Sequence, residues 1–256
     1  MTKEIIAVMK RYELKYHLSK EQVAYFTKEV LSHMKIDKYG LTTISSLYYD
    51  TPSYQLINRS LEKPQYKEKV RLRSYGLAKE DSPVFLEIKR KNGQIVYKRR
   101  IVATEDKVDR FMNKDEELDH NQIARELEAF KQQYKILEPK YLIIYDRIAY
   151  YQDNSDVRIT LDMNPRYRTD DLNLHTSNEG ISLLGEGEAI LEVKVQHSVP
   201  LWLAEILTKG KIYQTSFSKV GTAHRWEMMK RNLREVVVAT PLHQLNNGGR
   251  EYGLTI

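Results

Sequence analysis

Residues 66–75 have the sequence YKEKVRLRSY, residues 83–91 have PVFLEIKRK and residues 95–103 have IVYKRRIVA. Charged and apolar side chains alternate in each stretch, which is the period-two pattern of a β-strand with one apolar face. The dipeptide Asn92-Gly93 lies between the second and third stretches and predicts a tight hairpin turn. This segment therefore predicts antiparallel strands, each with one charged and one apolar face.

The same segment carries the excess positive charge of the chain. The 256 residues include 41 Lys and Arg against 35 Asp and Glu, a formal net charge of +6. Residues 61–101 alone contain 12 Lys and Arg against 5 Asp and Glu, so the rest of the chain is close to neutral. The chain has no cysteine, which excludes disulfide scaffolds, cysteine-ligated zinc, iron–sulfur clusters and thiol catalysis.

The remaining sequence predicts an α+β protein without a repeating βα unit. Eight strands are expected, near residues 8–17, 43–50, 66–75, 83–91, 95–103, 140–151, 156–166 and 188–196. Ser19 and Gln22 have the spacing of a capping box, which predicts a helix from there to about His33. Further helices are expected near Ser53–Arg59, Lys107–Tyr134, Leu201–Lys209 and Thr222–Val236, with a polar loop over 169–187. We expect one domain over residues 1–236 and a poorly ordered tail over 237–256.

Strand alternation places most of the charges on one set of faces. For a single strand, the simplest interpretation is a half-exposed sheet whose charged face is solvated. Adjacent cations such as Lys69, Arg71 and Arg73 repel one another, however, unless an anion neutralises them. We therefore expect an eight-stranded antiparallel barrel with the charges inside and the helices packed outside. The predicted inner residues are Glu13, Lys15, Lys69, Arg71, Arg73, Glu87, Lys89, Lys91, Lys98, Arg100, Arg158, Asp162, Glu192 and Lys194, whereas Arg90 and Arg99 are predicted to point outward.

A polyphosphate group with a divalent metal is the ligand that best suits such an interior. Arginine makes bidentate hydrogen bonds to phosphate oxygens, and lysine supplies a point charge. Mg²⁺ or Mn²⁺ binds carboxylate and phosphate oxygens together. The predicted metal ligands are the carboxylates of these faces, Glu13, Glu87, Asp162 and Glu192.

Several motifs along the chain resemble those of a known family. They are Arg11–Tyr16, Leu47–Thr51, Lys69–Arg73, Phe85–Lys89, Tyr145–Arg147, Arg158–Asp162, Ile190–Lys194 and Ser218–Lys219. Their order and spacing, from about Met9 to Trp226, resemble the VTC domain. This is the polyphosphate polymerase branch of the triphosphate tunnel metalloenzymes, a superfamily that also includes the CYTH phosphatases.

The resemblance implies a fold, an activity and a set of roles. The fold is an eight-stranded tunnel barrel, and the activity is transfer of the ATP γ-phosphate to a growing polyphosphate chain with Mn²⁺ or Mg²⁺. Glu192 would be the principal metal ligand, and Lys219 would contact the phosphate chain from the tunnel mouth. The residues implied to hold the triphosphate are Lys15, Arg71, Arg73, Lys89, Lys98 and Arg147. Secondary candidates, from strand alternation alone, are Glu87, Arg100, Arg158, Asp162 and Lys194.

The first strand departs from the pattern of the hydrolase branch, which carries Glu-x-Glu-x-Lys there. Arg11 stands in place of the first glutamate, leaving Glu13 and Lys15. Loss of one carboxylate weakens metal-assisted activation of water, which favours a polymerase over a hydrolase.

Two alternatives remain at this stage: a triphosphate or polyphosphate hydrolase of the same fold, and a non-catalytic binder of polyphosphate. Nucleic acid is not expected as a partner, because the tyrosines are predicted to lie mainly on faces opposite the charges. No secretory leader or membrane span is predicted, so a cytoplasmic location is expected. A membrane-protein partner and the oligomeric state stay open.

Overall fold

The fold was analysed in a computed structural model that describes residues 12–93, 95–114 and 116–239, with side chains to residue 235. Arg11, the start of the first predicted strand and the chain beyond residue 239 lie outside the described residues. The strands are β1 (Tyr12–Leu18), β2 (Lys35–Ile36), β3 (Thr42–Asp50), β4 (Tyr66–Tyr75), β5 (Val84–Asn92), β6 (Ile95–Ala103), β7 (Glu138–Tyr151), β8 (Arg158–Arg168), β9 (Ile181–Ser182), β10 (Ala189–Val195) and β11 (Gln214–Thr215). The helices are α1 (Lys20–Val30), α2 (Gln55–Leu61), α3 (Glu105–Lys114), α4 (Gln122–Tyr134), α5 (Leu201–Lys209) and α6 (Lys219–Ala239).

All of these strands form one antiparallel sheet in the order β11-β1-β10-β8-β7-β3-β4-β5-β6, with β2 on β7 and β9 on β8. The expected closed barrel of eight strands is therefore wrong in two respects: over the described residues the sheet has 11 strands, and it is not closed. Three of the strands are only two residues long. Closure would require β6 to pair with the free edge of β1, but β11 occupies that edge at Lys15 and Tyr16.

The sheet nevertheless curls until its distant strands meet. Five strands lie between β1 and β5 in the sheet order, yet Lys89 of β5 lies 3.5 Å from Glu13 of β1. Both side chains belong to the predicted charged faces, so these faces form the concave side of the sheet.

Four helices cover the convex side, as the alternation predicts. α3 and α4 pack through Phe111, Leu127 and Phe130 on the apolar residues of β3 to β6. α1 and α5 pack through Phe26 and Leu203 on those of β1, β8 and β10. These two clusters bury the large apolar side chains that the strands direct away from the concave face, which is the main source of stability of such a fold.

α6 is the exception, because it packs on the concave side, whereas α2 contributes Leu56 to the convex cluster and Ile57 to the concave one. Val220 and Ala223 of α6 join a buried cluster with Ile44 and Ile143. Ile143 is paired with Ser46, whose hydroxyl binds concave Arg73, so this cluster lies on the concave face. The expectation that all helices pack outside is thus wrong for α6 and holds only in part for α2.

Local signals account for most helix ends. The capping box of α1 is present, with the Gln22 amide nitrogen donating to Ser19 Oγ at 3.3 Å and the Ser19 amide donating to Gln22 Oε1 at 3.0 Å. The acidic stretch predicted as one helical region forms two helices, because the Asn121 side chain caps α4 by accepting from the Ala124 amide at 2.9 Å. Among the described residues, no helix is long and apolar enough to cross a membrane.

Candidate functional site

The concave faces of β4, β5 and β6 form four cross-strand rows. The strand register places Arg73, Phe85 and Val102 side by side in the first row. The second row is Arg71, Glu87 and Arg100, the third is Lys69, Lys89 and Lys98, and the fourth is Lys67, Lys91 and Val96. The site therefore changes along its length from aromatic to arginine-rich to lysine-rich.

Glu87 is the electrostatic centre of the second row. Its carboxylate is 1% exposed and lies 2.8 Å from Arg71 Nη2, 2.8 Å from Lys98 Nζ and 2.5 Å from Arg100 Nη2. Burial alone would raise the pKa of Glu87, but the surrounding Arg71, Arg73 and Lys98 hold it well below its usual range. One ionised carboxylate thus organises three cations that retain donors for a further anion.

Three tyrosines lie among these cations, although most tyrosines were expected on the opposite faces. Arg71 Nη1 donates to the Tyr48 hydroxyl at 3.0 Å, and Arg73 Nη2 donates to that of Tyr145 at 3.2 Å. Arg100 Nη2 donates to the hydroxyl of Tyr75 at 3.4 Å. Strand alternation could have found Tyr75, which lies two residues after Arg73, whereas Tyr48 and Tyr145 needed the cross-strand register.

The charges lower the pKa of the Tyr48 hydroxyl. Burial alone would raise this pKa, but Arg71, Lys69 and Arg73 bring it to about 8. A phenol held beside three cations is a stronger hydrogen-bond donor than a free tyrosine.

The lysine rows contain cations without carboxylate partners. Lys69 Nζ contacts only Ser218 Oγ among the described groups, at 3.4 Å, and burial lowers its pKa to about 8. Lys67 faces Lys91 directly across the strands, and its pKa is lowered by burial, by Lys91 and by Lys89. Like charges in register destabilise a sheet, so this end of the site favours an anionic ligand.

A second ion-pair network lies on β1, β7, β8 and β10. Asp162 is fully buried and receives two bonds from Arg147, Nε at 2.5 Å and Nη2 at 2.8 Å, and also contacts Lys219. Glu192 lies 3.3 Å from Lys15 and 3.4 Å from both Arg147 and Lys194. Burial alone would raise the pKa of Glu192, but Lys15, Lys219 and Lys194 hold it well below its usual range.

The segment before α6 reaches into this network. Lys15 Nζ donates to the Phe217 carbonyl at 3.1 Å, and Lys219 Nζ lies 4.4 Å from the centre of the Tyr145 ring. Because Tyr145 also binds Arg73, the segment links the β1–β10 side of the site to the β4 side. The structure thus brings Lys219 into the site that the sequence assigned to it.

The remaining arginines that the sequence analysis singled out, Arg158, Arg90 and Arg99, lie outside these two networks. Arg158 is exposed at the start of β8, beside Lys194. Arg90 and Arg99 point to the convex side, as predicted, where they bind Glu126 of α4 at 3.7 and 3.2 Å.

The four carboxylates predicted to bind metal differ in their surroundings. Among the described residues, no three His, Cys, Asp or Glu side chains are grouped closely enough to hold a metal ion. All four carboxylates pair with cations, but Glu87 and Asp162 are also almost fully buried, which disfavours a divalent ion there, whereas the side chains of Glu192 and Glu13 are 11% and 28% exposed. Glu13 and Glu192 both approach Lys15, at 3.5 and 3.3 Å, and two carboxylates suit a Mg²⁺-type ion whose other ligands are substrate phosphates and water.

Fold and site together define a tunnel-type protein, in which a curled antiparallel sheet encloses a cation-lined face. The family model of the VTC domain matches residues 10–225, and the chain belongs to this family.

One solved structure supports this fold, and a second is similar over most of the chain. A presumed adenylate cyclase from Bacillus halodurans superposes with a TM-score of 0.51 at 14% identity, over 82% of this chain and 96% of that one. Another from Vibrio parahaemolyticus has a TM-score of 0.48 at 12% identity, over 85% of this chain and 99% of that one. No curated protein in the comparison matches the chain.

Proposed function

We propose that this protein is a polyphosphate polymerase that transfers the γ-phosphate of ATP to the end of a growing polyphosphate chain. The observation that carries the proposal is the stack of cationic rows on the concave face, from Arg73 to Lys67. This stack is longer than one arginine cluster and ends in lysines that have no carboxylate partner within the part of the chain that the structure describes. Membership of the VTC family supports the same conclusion.

Phosphoryl transfer needs position and charge more than covalent chemistry, because its transition state spreads negative charge over the phosphoryl oxygens. In our proposal Arg71, Arg73, Lys89 and Arg147 align the nucleotide phosphates and stabilise this charge. The further phosphate contacts come from Lys15, Lys98, Arg100, Arg158, Lys194 and Lys219. The nucleophile is a terminal oxygen of the phosphate chain, which is already ionised, so no side-chain base is required.

We further propose that Glu192 and Glu13 hold a divalent metal, Mn²⁺ or Mg²⁺, together with the substrate phosphates. Such an ion neutralises charge on the transferred group. The protein contributes two buried or partly buried carboxylates whose pKa values are lowered, so both are ionised at neutral pH. Glu87 and Asp162 act instead by holding cations in place.

The products of a reaction with ATP separate the proposed function from its alternatives. We expect purified protein with ATP and Mn²⁺ to yield ADP and long phosphate chains. Orthophosphate as the only phosphate product would indicate a hydrolase, and unchanged ATP would indicate a binding protein.

The variant Glu192→Ala tests the proposed metal ligand. We expect turnover to fall by at least about a hundredfold, because this carboxylate also orients Lys15 and Arg147, with polyphosphate binding largely kept. Glu126→Ala is the matched control, since Glu126 pairs with Arg90 and Arg99 on the convex side. Full turnover of Glu192→Ala would remove this residue from the site.

We also propose a single domain over residues 1–236, a cytoplasmic location and attachment through a membrane-protein partner. Cell fractionation with and without candidate partners tests the cytoplasmic location and the attachment through a membrane protein.

A further inference from the structure

The two ends of the row stack differ in chemistry, and this difference gives the site a direction. At one end the first row places Phe85 and Val102 beside Arg73, and Tyr75 follows Arg73 on the same face. We call Tyr75, Phe85 and Val102 the aromatic end. At the other end lie Lys67 and Lys91, which we call the lysine end.

The side chains of the aromatic end are accessible although they are apolar. Tyr75 is 48% exposed and Val102 is 59% exposed. The Phe85 ring packs edge-on against Tyr75, with ring centres 5.5 Å apart, and Arg100 lies 4.5 Å from the centre of the Phe85 ring. These contacts hold the Tyr75 ring in place, and the Arg100 contact joins it to the cationic rows.

We propose that the aromatic end binds the base of a nucleoside triphosphate by stacking on Tyr75, and that the polyphosphate chain extends over the lysine end. This inference rests on the proposed function and adds the orientation of its two substrates.

The chemistry of each end favours one part of the substrates. A base has an apolar face that stacks on an aromatic ring, and it carries no charge to satisfy a lysine. A phosphate chain carries a charge on every unit and neutralises Lys67 and Lys91, which have no carboxylate partner among the described residues. The arginine row lies between the two ends and receives the nucleotide phosphates. Glu13 touches Lys89 of the third row, so the proposed metal ligands lie where the phosphates of the two substrates meet.

Equilibrium binding of ATP, tripolyphosphate and long-chain polyphosphate tests the aromatic end without turnover. We expect Tyr75→Ala to weaken ATP binding about tenfold and tripolyphosphate binding less than about twofold, since tripolyphosphate has no base. Tyr75→Phe keeps the ring and is expected to keep ATP affinity. Tyr97→Ala is the matched control, because Tyr97 is 36% exposed on β6, two strands from Tyr75, but faces the convex side.

A double variant, Lys67→Gln with Lys91→Gln, tests the lysine end. We expect long-chain polyphosphate to bind about tenfold more weakly, because two phosphate contacts are lost, and ATP affinity to change less than about twofold. Lys79→Gln with Lys107→Gln removes two exposed lysines elsewhere and serves as the control. The double variant removes the repulsion between the Lys67 and Lys91 ammonium groups in the ligand-free protein, so we expect it to fold.

The inference is overturned if Tyr75→Ala weakens ATP and tripolyphosphate equally, or leaves both unchanged. It is also overturned if the lysine double variant weakens ATP as much as long chains. Failure of the proposed function has a different signature: wild-type protein makes no chains from ATP, while the two binding patterns still hold.

Discussion

At the scale of single residues, the concave face is held together by carboxylates that each serve several cations. Glu87 binds Arg71, Lys98 and Arg100, and Asp162 binds Arg147 and Lys219. Removing one such carboxylate leaves several cations facing one another in a partly buried site. The unfolding free energy then falls by more than it does on loss of one surface ion pair. An anionic ligand can replace the carboxylate, so stability and binding are coupled through these residues.

The variant Glu87→Gln is expected to lose about 3 kcal/mol of unfolding free energy in the absence of ligand. Tripolyphosphate should recover much of this loss, because its charge replaces the missing carboxylate. Denaturant unfolding with and without tripolyphosphate measures both effects, and Glu126→Gln on the convex side is the control. A loss that tripolyphosphate leaves untouched would contradict this coupling.

The lowered pKa of Lys69 predicts that the protein takes up protons when it binds a phosphate ligand near pH 8. Burial lowers its pKa to about 8, and its charged neighbours are Lys15, Lys89 and Lys67, with the Tyr48 hydroxyl also facing it. Bound phosphate favours the protonated amine and raises this pKa, so affinity should fall as the pH rises through 8. Because the folded pKa is below the unfolded value, the ligand-free protein gains stability between about pH 8 and 10.5 from this group.

Calorimetry in buffers of different ionisation enthalpy measures the proton uptake. The variant Lys69→Gln should take up fewer protons at pH 8 than the wild type. Equal uptake by the two proteins would assign the protons to another group.

At the scale of secondary-structure elements, α6 determines the shape of the site. Its first turn packs on concave Ile143, and the segment before it contacts Lys15 and Lys69. Buried His224 anchors the helix, since its ring nitrogens lie 3.0 Å from the Tyr141 hydroxyl and 2.8 Å from Asn58 Oδ1. Through these two hydrogen bonds, His224 joins α6 to β7 and to α2 inside an apolar cluster.

The variant His224→Phe is expected to lose about 2 kcal/mol of stability, because two buried polar groups lose a partner. It should also weaken tripolyphosphate binding by displacing Lys219. Burial lowers the pKa of His224, so its contribution to stability is lost as the pH falls below about 6.5. Thermal unfolding between pH 5 and 8 measures the loss of stability and its pH dependence. His33→Phe is the control, because the His33 ring is exposed and stacks on Trp202, and it should keep both stability and tripolyphosphate binding.

At the scale of the whole molecule, the curled sheet concentrates a modest net charge on one face. The chain carries only +6 in total, but the concave rows of β4, β5 and β6 hold most of the cations of their segment. The sheet is open between β6 and β11, so no strand pairing of the described residues closes the site on that side. Ligand charge is therefore expected to stabilise the whole fold.

Tripolyphosphate at about one hundred times its Kd should raise the unfolding free energy by about 2.7 kcal/mol. A single-stranded oligonucleotide of equal charge should raise it much less, because sugars separate its phosphates, so that they cannot meet adjacent cationic rows as a continuous phosphate chain does. Thermal unfolding with each ligand, at several salt concentrations, makes the comparison. An equal shift with both ligands would favour a general polyanion binder.

The amino-acid sequence by itself determined which strand faces carry charge, because side chains alternate strictly along a strand and one face of each was plainly apolar. It also determined the capping box of α1, which needs only Ser19 and Gln22. The tertiary structure alone decided that β11 takes the edge that closure required, and that α6 enters the concave side. It also decided which carboxylates are enclosed by cations and which tyrosines stand among them. These features depend on contacts between residues far apart in the chain, such as Lys89 with Glu13, and local periodicity carries no information about such contacts.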